Sequence, residues 1–111
     1  MRALLFVGLL AGCMGDVEVR VCNRTGHDVT NVDALKLPLQ DLAADECTSY
    51  STPEHDVYRY TGARFSIGAD EFRAQPIDFV GETPLDAGKW SYELVIVDYA
   101  RRSVTVYARE D

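Results

Sequence analysis

From Val17 onward the chain alternates apolar and polar residues with a period of two. Val17-Glu18-Val19-Arg20-Val21-Cys22 puts three valines on one face and polar side chains plus Cys22 on the other, as a half-buried strand requires. Asn23 to Asp28 supplies Asn, Gly and Asp for a turn, and Val29 to Leu35 resumes an extended run, so the two segments are expected to form a hairpin. Residues 36–46 read as a loop with room for one helical turn after Pro38. Cys47 to Ser51 reads as a strand, and Thr52 to Asp56 as a break, because Pro53 has no N–H to give to a ladder. Val57 to Tyr60 and Ala63 to Ile67 alternate again around Thr61-Gly62, and Gly68 to Glu71 reads as a turn leading into Phe72 to Phe79. After a Gly- and Pro-rich stretch from Gly81 to Gly88 comes the strongest strand, Trp90 to Asp98. Its later residues are apolar on both faces, which suits a central strand. Tyr99 to Arg102 turns the chain into Ser103 to Arg109. Short strands spaced about 8 to 12 residues apart without a helical repeat predict an all-β fold: an antiparallel Ig-like sandwich of seven or eight strands, with a small barrel as its rival.

Residues 1–12 break the pattern. Arg2 is followed by an uncharged, mostly apolar run, the layout of a secretory n-region and h-region. The run is too short to span a bilayer, which takes about 20 apolar residues. It ends in Leu10-Ala11-Gly12-Cys13, which resembles the lipobox of bacterial lipoproteins: a branched apolar residue, two small ones and the cysteine that receives the lipid. The resemblance implies a signal peptide over 1–12, palmitate-type acylation of Cys13 as the new N-terminus, a lipid anchor and tether over 13–16, and a β-sandwich domain over 17–111. The competing reading makes Cys13 an ordinary residue near a conventional cleavage site. In lipoproteins an Asp after the cysteine tends to retain the protein in the inner membrane. Met14 stands there, so the resemblance implies the outer membrane where the organism has one. Met14, Gly15 and Asp16 extend to about 10 Å, a short leash.

With Cys13 set aside, Cys22 and Cys47 remain, and an exported chain matures in an oxidising compartment where they are expected to pair. The alternative is two buried free thiols. The 111 residues suit one domain. The chain carries 11 Lys and Arg against 18 Asp and Glu, and losing residues 1–12 removes Arg2 alone, which takes the net charge from -7 to -8. That balance argues against nucleic acid and for a cationic protein partner.

Pro76-Ile77-Asp78-Phe79-Val80-Gly81-Glu82-Thr83-Pro84-Leu85 resembles a segment of small β-sandwich lipoproteins, and the likeness extends to Asn23-Arg24-Thr25 and to Tyr58-Arg59-Tyr60. It implies a fold and no activity. Physically it reads as a structured connection in which Asp78 or Glu82 can accept loop hydrogen bonds. A sharper reading makes Asp78 and Glu82 a loop binding site. Tyr58, Tyr60 and Tyr107 are candidates for an exposed contact patch, with strand core as the rival role.

Catalytic constellations are thin. His27 and His55 lie in turn-like stretches without zinc-ligand spacing, no Gly-x-Ser-x-Gly occurs, and no EF-hand order is present, so neither a metal, a cofactor nor a catalytic set is expected. The expected function is a non-enzymatic, lipid-anchored binding or structural module of the cell envelope, bound to the membrane through its N-terminal lipid. An inhibitor of a basic exported enzyme such as lysozyme is one alternative. A small envelope hydrolase or metal-binding protein is another.

Overall fold

A computed structural model describes residues 16–74 and 82–111. Among them the chain is all β, without a helix: β1 (Val17–Asn23), β2 (Val29–Ala34), β3 (Gln40–Leu42), β4 (Ala63–Ile67), β5 (Asp70–Ala74), β6 (Gly88–Asp98) and β7 (Ser103–Glu110). They form one mixed sheet in the order β1-β6-β7-β5-β4-β2-β3.

The sheet nearly closes on itself. Beyond β3 the chain reaches the outer edge of β1, where Asn23 N donates to Glu46 O (2.9 Å), Thr48 N to Val21 O (2.8 Å), and Val19 and Ser51 exchange a pair of backbone bonds at 2.8 Å. The Cys22–Cys47 disulfide crosses this seam, its Cα atoms 4.0 Å apart. All seven strands therefore contribute to one core. Val19 and Val21 of β1, Tyr92 and Leu94 of β6, and Phe65 and Phe72 of the β4–β5 hairpin are at most 1% exposed. Phe65 and Phe72 are register partners with ring centroids 5.5 Å apart. Truncating a phenylalanine packed this way to alanine costs about 3 to 5 kcal/mol.

Several expectations are corrected. The arrangement is not wholly antiparallel, and β1 does not form a hairpin with β2. β1 pairs with β6 in parallel, Val17 opposite Gly88 through to Asn23 opposite Leu94, and β5 meets β7 in parallel at Arg73 and Ser103. Period-two patterning fixes which face is buried but not which neighbour supplies the hydrogen bonds. Here the turn after β1 folds back on itself and sends β2 away to pair with β3 and β4. Cys47 to Ser51 and Val57 to Tyr60 make isolated bridges (Cys22 with Cys47, Val19 with Ser51, Tyr60 with Tyr107) and no continuous strands. At the first, the Thr48 hydroxyl takes the Val21 N–H at 3.0 Å, interrupting the regular backbone ladder. The loop expected over 36–46 contains β3, because Leu42 is buried opposite Val29. Asp70 and Glu71 are already paired in β5, which leaves Gly68 (φ 59°) and Ala69 to make the turn. The later part of the Phe72 to Phe79 strand lies outside the described residues.

Asn23 is the residue that shapes the turn. It is fully buried; its Nδ2 donates to His27 O (2.6 Å), Leu42 O (3.1 Å) and Ala43 O (3.1 Å), while its Oδ1 accepts from Thr25 N (3.0 Å) and Thr25 Oγ1 (2.7 Å). One amide thus joins the end of β1, the turn and the end of β3. An acid there would set a carboxylate against three carbonyls with no donor to offer, and an unsatisfied buried group costs about 1 to 3 kcal/mol, more when charged. Asn23→Asp is therefore expected to lower unfolding free energy by at least about 3 kcal/mol in urea titration at neutral pH. A change under about 1 kcal/mol would show that the turn does not depend on this amide.

Candidate functional site

Where β1 begins and β2 ends, the core opens into a cavity of about 590 Å³ covered by residues 51–57. Its inner wall is apolar: Val19 is buried, and Leu35, Leu37 and Val57 are partly buried against the core. Its rim is charged, with exposed Lys36, Glu54, His55 and Asp56. A second hollow of about 270 Å³ shares the 52–57 segment and adds Asp16, Val17, Pro84 and Leu85. Backbone bonds hold the walls, from Leu85 N to Val57 O (2.8 Å), from Leu37 N to Ala34 O (3.0 Å) and from Gly88 N to Asp16 O (3.0 Å). The turn after β2 places Leu35 and Lys36 at φ 55° and 58°, a left-handed pair that Asn-Gly sequences fill most easily. Strain of about 1 to 3 kcal/mol per such residue is tolerated only where surrounding structure enforces it.

On the opposite side of the β1–β6–β7 strands, side chains pointing away from the core form a wired polar face. Glu93, 7% exposed, is held between Arg24 Nε (2.9 Å) and Arg109 Nε (2.6 Å). Ser91 Oγ accepts from Arg20 Nε (2.9 Å) and donates to Asp111, 2.8 Å from Oδ1 and 2.7 Å from Oδ2. The Tyr50 hydroxyl also donates to Asp111, and the Arg20 guanidinium lies 4.7 Å from the Tyr50 ring centroid. Ser91 is fully buried, which suits a staple holding the C-terminal strand and denies a substrate access to its hydroxyl.

The residues singled out by sequence fall in different places. Cys22 and Cys47 are joined at the seam. Cys13 and Asp78 lie outside the described residues. Glu82 is half-buried, and its Oε1 is enclosed without a hydrogen-bond partner among the described residues. Burial, and then the charge of Glu82, pushes the Tyr92 phenol well above its usual range, so Tyr92 stays protonated and its hydroxyl donates to Tyr58 O. Tyr60 and Tyr107 sit opposite each other across a bridge; they and Tyr58 are half-buried. His27 lies against the Tyr99 ring at 5.4 Å, and His55 stands on the cavity rim, so the structure keeps the two histidines apart. Among the described residues no group of three or more His, Cys, Asp or Glu could hold a metal ion. Sequence reasoning missed the cavity, buried Glu93 and the Asp111 staple. Only Glu93 left a trace, as a charge set between the apolar Tyr92 and Leu94.

No family model matches the chain, and no curated protein or solved structure with which it was compared does so either.

Burial pushes the Asp111 carboxyl up, but hydrogen bonds from Tyr50 and Ser91 and the charges of Arg20 and Arg109 outweigh it, leaving the group below its usual range. A carboxyl depressed in the folded state adds stability above its unfolded pKa and loses it as the pH falls through the folded value. The difference in Tm between the natural chain and Asp111→Asn is therefore expected to be full near neutrality and to shrink below about pH 4. A difference constant from neutral pH to pH 2 would contradict the assignment.

Proposed function

We propose that this chain is a lipid-anchored protein of the bacterial cell envelope, a non-enzymatic binding module held to the membrane through acylated Cys13. One observation carries the reading. The disulfide uses Cys22 and Cys47, and the cysteine left over is Cys13, which directly follows the apolar run and stands at the end of Leu10-Ala11-Gly12. With Cys22 and Cys47 joined, Cys13 has no other cysteine in the given sequence to pair with, and the oxidising compartment that suits the bridge is the one in which lipoproteins mature. Two or more acyl chains give stable anchoring where one gives only marginal binding. With Met14 after the cysteine, the outer membrane is the destination in an organism that has one.

Charge supports a cationic exported protein as the partner. Arg20, Arg24, Arg64, Arg73, Arg101, Arg102 and Arg109 each have an acidic partner, so cations are largely engaged while the surplus of acids is not. A basic enzyme such as lysozyme fits that description, which makes inhibition one form the binding could take. We also read the ring as flattened into an Ig-like sandwich, β1, β6 and β7 in one layer and β5, β4, β2 and β3 in the other. The single register pair joining β5 to β7 supports that division.

Expression in a bacterium fed labelled palmitate tests the anchor. The natural chain is expected to carry the label and fractionate with membranes, and Cys13→Ser to lose both properties. Equal labelling of the two, or an intact residue 1 in the mature protein by mass spectrometry, would refute it.

A further inference from the structure

Resting on the reading of an envelope module with a cationic partner, we infer that the cleft beside the anchor is its docking site. The occupant is a loop of an exported protein that presents arginine or lysine next to apolar residues. Three features of the cleft converge on that chemistry.

The first is the shape of the polarity. An arginine or lysine side chain has an apolar stem and a charged head. The cavity has an apolar wall of Leu35, Leu37 and Val57 and a rim carrying Glu54 and Asp56, so stem and head each meet a matching surface. The volume of about 590 Å³ is within the range of clefts that hold drug-sized ligands, enough for one or two such side chains.

The second is that these acids are unspent. Glu93, Asp111, Asp33, Asp70 and Asp98 are engaged by arginines elsewhere on the sheet. Glu54 and Asp56 make no side-chain hydrogen bond or ion pair with another described residue, and Asp16 in the adjoining hollow makes none either. An arriving guanidinium would not have to break an internal ion pair. Lys36 is the cation at the rim; it and the neighbouring His55 are exposed.

The third is placement. The cleft abuts Asp16 and Val17, three residues beyond Cys13, so it lies at the end of the domain from which the lipid emerges. Repulsion between its acids and anionic headgroups disfavours a bilayer as occupant and keeps the mouth open to a protein.

The test is calorimetry with the full chain in non-ionic micelles at low salt. The probe is a synthetic peptide alternating arginine and leucine, and the control is its citrulline counterpart, which keeps the shape and removes the charge. Two double variants carry equal net charge. Glu54→Gln with Asp56→Asn neutralises the rim, whereas Glu71→Gln with Asp98→Asn neutralises acids at the other end of the strands that Arg73 and Arg101 engage. The inference expects the arginine peptide to bind and the citrulline peptide not to. It expects the rim variant to weaken binding at least about tenfold and the distal variant less than about twofold, beyond what general charge attraction gives. Equal weakening by both variants, or by neither, overturns the cleft as the site while leaving the cationic-partner reading intact. Absence of binding to the natural chain overturns the inference together with that reading.

Discussion

The ring is held by the seam along which residues 46–51 attach to the outer edge of β1. Without it, the outer edge of β1 would be unpaired, and an exposed edge offers its amides and carbonyls to any other chain. With it, the chain leaving the last strand in the sheet order is tied back to the first, and all seven strands pack on one core. The seam is short on regular hydrogen bonds, since the Thr48 hydroxyl takes the place of a carbonyl opposite Val21. It is strengthened instead by two local devices. The buried amide of Asn23 fastens the turn after β1 to the end of β3, and the disulfide closes a loop of 25 residues, worth roughly 3.5 kcal/mol by the chain-entropy model. For a domain of this size, whose whole stability is about 5 to 15 kcal/mol, that is a large share.

The same seam determines where the cleft lies. Its last bond is between Val19 and Ser51; beyond it Pro53 can give no N–H to β1, and the chain departs to arch over the barrel end. The arch is what covers the apolar wall of Leu35, Leu37 and Val57 and raises Glu54 and Asp56 to its rim. On the other side of β1, alternation turns Arg20 outward and the parallel register with β6 sets it beside Ser91, and the Ser91 bond to Asp111 holds the C-terminal strand down. Cleft and stapled face are thus two consequences of one strand whose inner residues are valines and whose outer residues are polar.

The strands with strong period-two patterns were legible in sequence: Val17 to Cys22, Ala63 to Ile67, Trp90 to Asp98 and Ser103 to Arg109 all stand in β1, β4, β6 and β7. The pairing of Cys22 with Cys47 followed from compartment and count. What stayed hidden has a common cause. A residue's partners across the sheet are not encoded in its immediate neighbours, so Asn23 read as an ordinary turn residue although it is fully buried with five hydrogen-bond contacts. Ser91 and Asp111 are 20 residues apart and meet only because β7 returns alongside β6. The parallel partnership of β1 with β6 was hidden for the same reason, and so was the cavity, whose walls come from four separate stretches of chain.

Amide hydrogen exchange across the seam tests the closed ring most directly, because the N–H groups of Val19, Asn23, Thr48 and Ser51 have backbone partners there and nowhere else. The closed ring predicts that they exchange slowly, with protection approaching that of Tyr92 and Leu94 in the centre of β6. If Thr48 and Ser51 instead exchanged as fast as the exposed amides of Glu54 to Asp56, the seam would be open in solution, and the enclosed core with its cleft would fall with it.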